Sequence, residues 1–324
     1  MRALGDAIVS PYDRKPGSST RKRQGDRQIM AQSAPDVGFV GLGLMGQAFT
    51  KRLVATGHRV TGYDLVADKV ARAKAHGVHP AGSPAEVARA SCFVHVCVMT
   101  KDDLTAAVFG RDGIAEGAAA GKVLIDHSTT EAATTRELGA RLEGDTGMRW
   151  VDAPVSGGPP AAEAGTLAIM AGGDDADVAA VRPVLAQLGT CTHMGALGAG
   201  QVTKMVNQVL VLSNYCVLAE AMTLAEAGGV DPARIPEALG AGYAGSNMLQ
   251  RLYPRLVARD FAPAGYAFQA LKDLDMVHNL ARQLGVPTPM ASQAATLFRT
   301  LVSKGHGELD GIAVLKLYDR KEHV

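Results

Sequence analysis

A chain of 324 residues exceeds what one compact core usually organises, so two domains are expected. Hydrophobic residues make up 47% and charged residues 20%, and 33 Lys plus Arg against 32 Asp plus Glu leave a net charge of +1. That balance carries no electrostatic footprint of a nucleic-acid binder or a polybasic membrane protein, and 5% aromatic residues offer no stacking platform.

Residues 1–35 carry Arg14, Lys15, Arg21, Lys22, Arg23 and Arg27 among Ser, Gly and Pro, with almost no apolar periodicity. No apolar run of signal-peptide length follows these charges, so the segment reads as a disordered N-terminal extension. From Val37 the pattern changes. VGFV runs into GLGLMG and an amphipathic stretch, and RVTGYD follows as a strand closed by Asp64. Further apolar runs fall at 92–99, 122–128, 150–156 and 166–173, with helix-like stretches at 67–76, 84–90, 101–109 and 131–143. Strands alternating with helices argue for an α/β domain with a mostly parallel sheet, assigned to 36–198.

After Gly198 the strands stop. Residues 201–227 read as one helix of about 40 Å, long enough to cross between domains. It is apolar nearly all round, as a helix buried between layers should be. Asn207, Gln208, Asn214, Glu220 and Glu226 interrupt it too often for a membrane span. Helical periodicity continues through 232–240, 246–258, 268–284 and 288–304, with a last turn near 308–316, so 199–324 is read as an all-helical substrate and dimerisation domain. Cys92, Cys97, Cys191 and Cys216 form no CxxC pair and lie beside no histidine cluster. The expectation is a reduced, cytoplasmic protein without a metal site.

Gly41-x-Gly43-x-x-Gly46 follows a strand and opens a helix. The first glycine permits the tight turn, the second lets backbone approach a pyrophosphate, and the third permits close helix–strand packing. The N–H groups and dipole of the helix N-terminus, around Leu42, Leu44 and Met45, favour the anion. Asp64 ends the next strand 18 residues after Gly46, where an acid accepts hydrogen bonds from ribose hydroxyls and repels a 2′-phosphate. NAD is therefore expected over NADP; the competing reading is a glycine-rich turn that binds nothing. In DAPVSGG, Ser156 with Gly157 and Gly158 offers a hydroxyl and close backbone N–H groups, a combination that suits a carboxylate or makes a simple turn. Lys204 stands on an otherwise apolar helix with Asn207 and Gln208 on one face. Such groups are costly there unless paired or used, and burial moves a lysine toward proton exchange near neutral pH.

With these motifs the chain resembles the β-hydroxyacid dehydrogenase family, which includes 3-hydroxyisobutyrate dehydrogenase and tartronate semialdehyde reductase. The resemblance runs from about Val37 to Tyr318 through VGFVGLGLMG, DHSTTEA, DAPVSGGPPAAEAGTLAIMAGG, GAGQVTKMVNQ and FQALKDLDM. It implies a Rossmann-like domain, a long interdomain helix and an all-α C-terminal domain that forms homodimers or homotetramers. It implies hydride transfer between NAD and a short 3-hydroxy acid, with Lys204 as catalytic acid–base. Asn207 matches a substrate-contacting position, and Ser156, Gly157 and Gly158 match the carboxylate loop. Thr129 matches a threonine near the nicotinamide, and Met99 and Thr100 fall where many members have Leu-Pro against the cofactor. Lys272 matches a lysine that closes over cofactor and substrate, and Asp275 is expected to orient that region. Without the family, Lys272 and Asp273 read as a solvated pair.

Two departures matter: Gln208 stands where many members have Asn, a form closer to the tartronate semialdehyde reductase branch, and Thr100 replaces a proline. Tyr243, Met248 and Phe268 are candidates for the far end of the pocket. Three rivals stay open. A phosphogluconate-dehydrogenase-like enzyme would want a basic cluster for its substrate phosphate and a longer helical half, an imine-reductase-like enzyme would lack the lysine, and a non-catalytic dinucleotide-binding protein would bind cofactor without turnover.

Overall fold

The computed structural model describes residues 36–318; the extension read from residues 1–35 lies outside the described residues, as do 319–324. The α/β half runs β1 (Val37–Val40), α1 (Leu44–Ala55), β2 (Val60–Tyr63), α2 (Ala67–Ala75), β3 (His79–Pro80), α3 (Pro84–Ala90), β4 (Phe93–Val96), α4 (Lys101–Phe109) and α5 (Ile114–Gly117). It continues with β5 (Val123–Asp126), α6 (Ala132–Thr146), β6 (Arg149–Asp152), β7 (Val155–Ser156), α7 (Gly158–Ala164), β8 (Leu167–Gly172), α8 (Asp175–Leu185) and β9 (Gly189–Gly195). Strands β3-β2-β1-β4-β5-β6 lie side by side and parallel. Beyond them β8 runs antiparallel to β6 and β7, and β9 pairs parallel to β8.

This is the doubly wound order of a Rossmann-like sheet. The strand order reverses between β1 and β4, and ligands of such sheets bind in the crevice outside the carboxyl ends at that point. VGFV and VLID are buried along their whole length, as parallel strands covered on both faces must be. Alternate side chains serve opposite layers. Phe39 and Ile125 pack with Phe49 and Leu53, while Val40 and Leu124 pack with Leu104 and Leu138.

The helical half comprises α9 (Ala199–Ala227), α10 (Ile235–Leu239), α11 (Asn247–Val257), α12 (Ala267–Leu284), α13 (Pro289–Leu301) and a closing 3-10 segment, Gly311–Tyr318. Its core gathers Leu212, Ala219, Met222, Tyr253, Leu274, Phe298 and Ile312. Helix α9 rests its start on β8 and β9 and its later turns on α11, α12 and α13. Alone among the described helices it is long and apolar enough to cross a bilayer. It is not buried all round, contrary to the sequence reading: Val206, Leu210, Val217 and Leu224 form an exposed stripe along one flank.

The other differences are local. Residues 150–156 are not one strand, because Pro154 lacks the N–H a ladder needs and the chain restarts as β7. The sequence reading holds no β3, α5, α7, α8 or β9: β3 is two exposed residues, α5 a single turn, GTCTHMG has few apolar residues at an exposed sheet edge, and Pro183 sits inside α8. The run 288–304 ends as α-helix at Leu301 and passes into a wider π turn that closes at Gly305, whose φ is +84°.

Candidate active site

The glycine loop connects β1 to α1 at the sheet's switch point. Gly41 turns the chain at φ +93°, and a Cβ there would lie 2.2 Å from the Cys97 carbonyl oxygen. A Cβ on Gly46 would lie 2.0 Å from the Gly41 carbonyl oxygen, so this glycine lets the helix sit against the loop. Gly43 differs. A Cβ there would meet nothing within 4 Å, so the chain at Gly43 borders open space. No side chain caps the first turn of α1, which leaves its N–H groups to face an anion. The Leu42 side chain is buried in the core, Met45 packs against that core, and Leu44 is exposed at the helix entrance. Asp64 stands beside the loop: Oδ2 accepts from the Leu42 N–H at 2.7 Å and Oδ1 from the Val66 N–H at 2.9 Å. Each oxygen keeps a lone pair for a ribose hydroxyl. Lys69 Nζ lies 3.7 Å from Asp64 Oδ1. These residues fit a dinucleotide.

The second wall comes from β7 and α9. Gly157 and Gly158 have φ of +131° and +70° and follow the half-buried Ser156. Lys204, on the second turn of α9, is 9% exposed and its Nζ donates to the Val155 carbonyl at 2.7 Å. The lysine and the Ser156–Gly158 loop are thus brought together across 49 residues of sequence. Burial pushes the Lys204 ammonium below the ordinary lysine range; Asp273 opposes that shift and Lys272 adds to it.

The third wall is α12. Lys272 Nζ donates to the carbonyls of Met99 at 3.1 Å and Thr129 at 3.0 Å, which bridges the loops after β4 and β5. Gln269 Nε2 reaches Met99 Sδ at 2.6 Å. Asp273 is buried, not solvated: it accepts from Gln208 Nε2 and lies 3.3 Å from Lys272 Nζ. Asn207 Nδ2 donates to Gln208 Oε1 at 2.8 Å. A polar chain therefore runs Asn207–Gln208–Asp273–Lys272 from one wall to the other. The longer Gln208 is what spans from α9 to α12.

The structure corrects the expectations for Asp275, Tyr243 and Met248 and adds detail at Phe268 and Thr100. Asp275 orients nothing here, since it pairs with Arg299 at the surface, half a turn round the helix from Asp273. Tyr243 is fully exposed in the loop before α11, and Met248 packs into the helical core. Phe268 stacks on Tyr266 one turn before Lys272, at the cleft end of α12. Thr100 is the N-cap of α4, its hydroxyl engaged with Asp103, so its side chain serves the helix start.

Several residues of the site escaped the sequence reading. Asp126 and Asp152 are register partners at the carboxyl ends of β5 and β6, both fully buried. An apolar strand run that ends in an acid at the crevice edge was the available signal. Asp126 Oδ1 accepts from the Ser128 N–H at 2.8 Å, and Oδ2 has no partner among the described residues. Burial pushes its pKa up to about 7 against the pull of the Ser128 bonds. The folded protein thus holds this proton more tightly than the unfolded chain, whose carboxyl titrates near ~3.9. Stability must fall as pH rises between those two values and level off above the folded one. Asp126→Asn escapes that loss. Its melting temperature should gain on the wild type by a few degrees between about pH 4 and pH 7, with a constant difference above; thermal melts across pH would check this, and a pH-independent difference would contradict it.

A phosphate-ready glycine loop and a buried, depressed lysine facing one crevice are the layout of an NAD(P)-binding oxidoreductase. Residues 36–196 match the NAD-binding domain of 6-phosphogluconate dehydrogenase, and 198–318 match the NAD-binding domain of NADP-dependent 3-hydroxyisobutyrate dehydrogenase. The chain belongs to the β-hydroxyacid dehydrogenase family. It is 35% identical over 283 residues to a probable 3-hydroxyisobutyrate dehydrogenase-like 3 of Arabidopsis thaliana, covering 87% of this chain and 86% of that one. It is 33% identical over 283 residues to 2-hydroxy-3-oxopropionate reductase of Escherichia coli, covering 86% and 96%. The crystal structure of 3-hydroxyisobutyrate dehydrogenase from Salmonella typhimurium superposes with a TM-score of 0.80 at 29% identity, covering 88% of this chain and all of that one.

Proposed function

We propose that the protein transfers a hydride between NAD and a short 3-hydroxy acid of the 3-hydroxyisobutyrate or 2-hydroxy-3-oxopropanoate type. The observation that carries this reading is Lys204, buried and bonded beside the Ser156–Gly158 loop in the crevice that the glycine loop also enters. Gly41–Gly46 with Asp64 would hold the dinucleotide, and Met99, Thr129 and Lys272 would enclose its nicotinamide end. When bound, that group accepts or supplies the hydride. Ser156 and the N–H groups of Gly157 and Gly158 hold the substrate carboxylate. Lys204 Nζ takes the proton from the substrate hydroxyl in oxidation and returns it in reduction, and Asn207 hydrogen-bonds the same oxygen. Initial rates with 3-hydroxyisobutyrate, glycerate, 3-hydroxybutyrate, 3-hydroxypropionate, serine, threonate and 6-phosphogluconate test this. Lys204-dependent reduction of NAD by one of the short acids is expected; silence on all of them, with NADH still bound, would refute it.

The NAD preference rests on the Asp64 carboxylate. Asp64→Asn keeps an acceptor for the loop N–H and removes the charge that faces a 2′-phosphate. The ratio of kcat/KM for NAD over NADP should fall about tenfold or more, equivalent to ~1.4 kcal/mol. An unchanged ratio would assign the preference elsewhere.

We put the domain division at 198/199, a reading supported by the start of α9 at Ala199. The four unpaired cysteines support a reducing, cytoplasmic setting. The exposed stripe Val206, Leu210, Val217 and Leu224 supports assembly into a homodimer or homotetramer, and light scattering should return a multiple of 33.7 kDa.

A further inference from the structure

Gln201 lies on the first turn of α9, three residues before Lys204, and is fully buried. Its side-chain amide spans to the loop after β5: Nε2 donates to the Ser128 carbonyl at 2.8 Å, and Oε1 accepts from the Thr130 N–H at 3.2 Å. One amide orientation alone satisfies both, since a carbonyl can only accept and a backbone N–H can only donate. The two bonds flank Thr129, whose own carbonyl is held from the other side by Lys272. The Gln201 backbone N–H donates to Asp152 Oδ2 at 2.8 Å, which fixes the base of the clamp to the end of β6. Beside Gln201 and the start of α6 lies a cavity of about 30 Å³, edged also by Glu131, Ala132 and Met205. The Gln201 amide is what ties the backbone of this loop to α9, alongside the Asp126–Ser128, Val98–Ser128 and Thr130–Thr135 bonds that hold it to the sheet and to α6.

We propose that Gln201 is a positioning residue for the hydride step: its amide holds the Ser128–Thr130 segment in fixed register with Lys204, one turn along the same helix. The inference rests on the functional reading above, in which Thr129 borders the nicotinamide and Lys204 handles the proton. Two walls of one reaction site are then set by two residues of α9, three positions apart. A slip of the loop changes the approach of cofactor to substrate while Lys204 keeps its environment. Misplacement of about 1 Å costs up to 10²-fold in such a site.

The test compares Gln201→Met, similar in length and unable to bond either partner, with Gln201→Asn, an amide one methylene too short to span both. Relative to a wild type with Lys204-dependent turnover, kcat of the folded Met variant should drop about 10–100-fold. Its primary isotope effect with 4-deuterated NADH should rise, because hydride transfer becomes more limiting, and the pH limb belonging to Lys204 should stay in place. Gln201→Asn should fall between the two. A residue that merely supports the fold would lower the melting temperature and leave kcat per folded molecule and the isotope effect unchanged, and that result would overturn the proposal. Hydrogen exchange at the Thr130 amide reads the clamp without turnover. Acceleration is expected in Gln201→Met, and unchanged exchange there would overturn it. Should the wild type turn over none of the hydroxy acids, the functional reading fails on its own and the exchange result still decides whether Gln201 clamps the loop.

Discussion

Replacing Lys204 with alanine should lower turnover by about 10²–10⁴-fold, the usual loss when a general acid–base group is removed, while NADH affinity changes little. The glycine loop and Asp64, which carry the dinucleotide reading, make no bond to Lys204. The lysine is poised by two opposed effects. Burial and the neighbouring Lys272 lower its pKa, and Asp273, across the cleft on α12, raises it. The net direction is downward. Oxidation needs the neutral amine, so its kcat/KM should rise with pH to a plateau through a limb below the ordinary lysine value of ~10.4. Reduction needs the ammonium and should decline with rising pH through the same limb. In Lys204→Ala both limbs should vanish along with the rate. Lys204→Arg should be no rescue, because a guanidinium does not release its proton in this range. Near-wild-type rates in the alanine variant, or the same limb surviving in it, would remove the lysine from the mechanism.

The sequence made some of these placements legible and concealed others, for physical reasons. The glycine loop was readable because each of its constraints is local: a turn at Gly41, a close contact at Gly46 and an open approach at Gly43 act within six residues. Strands β1, β4, β5 and β6 were readable because strands buried on both faces must be continuously apolar, whereas β3 is two exposed residues with no such signal. Lys204 stood out as a cation on an apolar helix. Gln201 falls under the same rule, but its partners Ser128 and Thr130 are 73 and 71 residues away and leave no local signal. Asp273 and Asp275 are two residues apart on α12 and so face opposite sides of it. Periodicity could not say which side met the cleft, and only the packing of α12 on α9 assigns the buried place to Asp273 and the surface to Asp275. The exposed flank of α9 was hidden for a similar reason. Apolar composition reports that something covers a helix face, and the fold of one chain covers only part of this one.

Asp152→Ala should be the most destabilising single change at the site. Helix α9 begins at Gly198, whose φ of +90° turns the chain from β9 into the helix. No side chain at that position can cap the first turn, and Asp152 does so from the end of β6. Its Oδ1 accepts from the Gly198 N–H at 2.7 Å and its Oδ2 from the Gln201 N–H at 2.8 Å. Burial raises its pKa, and the backbone N–H bonds, led by those of Gly198 and Gln201, pull it back down. The packing leaves no room for anything else to take over. A Cβ on Gly172 would lie 2.4 Å from Oδ1, and one on Gly200 would lie 2.7 Å from Oδ2. Removing the carboxylate orphans two buried N–H groups at the positive end of a 29-residue helix, at about 1–3 kcal/mol each. The melting temperature should drop on the order of 5–15 °C. Asp152→Asn restores one acceptor but turns an NH₂ toward the other N–H, so it should recover less than half of the loss. The same bonds hold Gln201 and, one turn on, Lys204 in place, so kcat of the folded alanine variant should fall with its stability. Calorimetry with rates measured well below the transition separates the two effects. An alanine variant that melts within a degree of the wild type would mean that α9 needs no cap from the sheet, and the link between the end of β6 and the helix that carries Lys204 would have to run through packing alone.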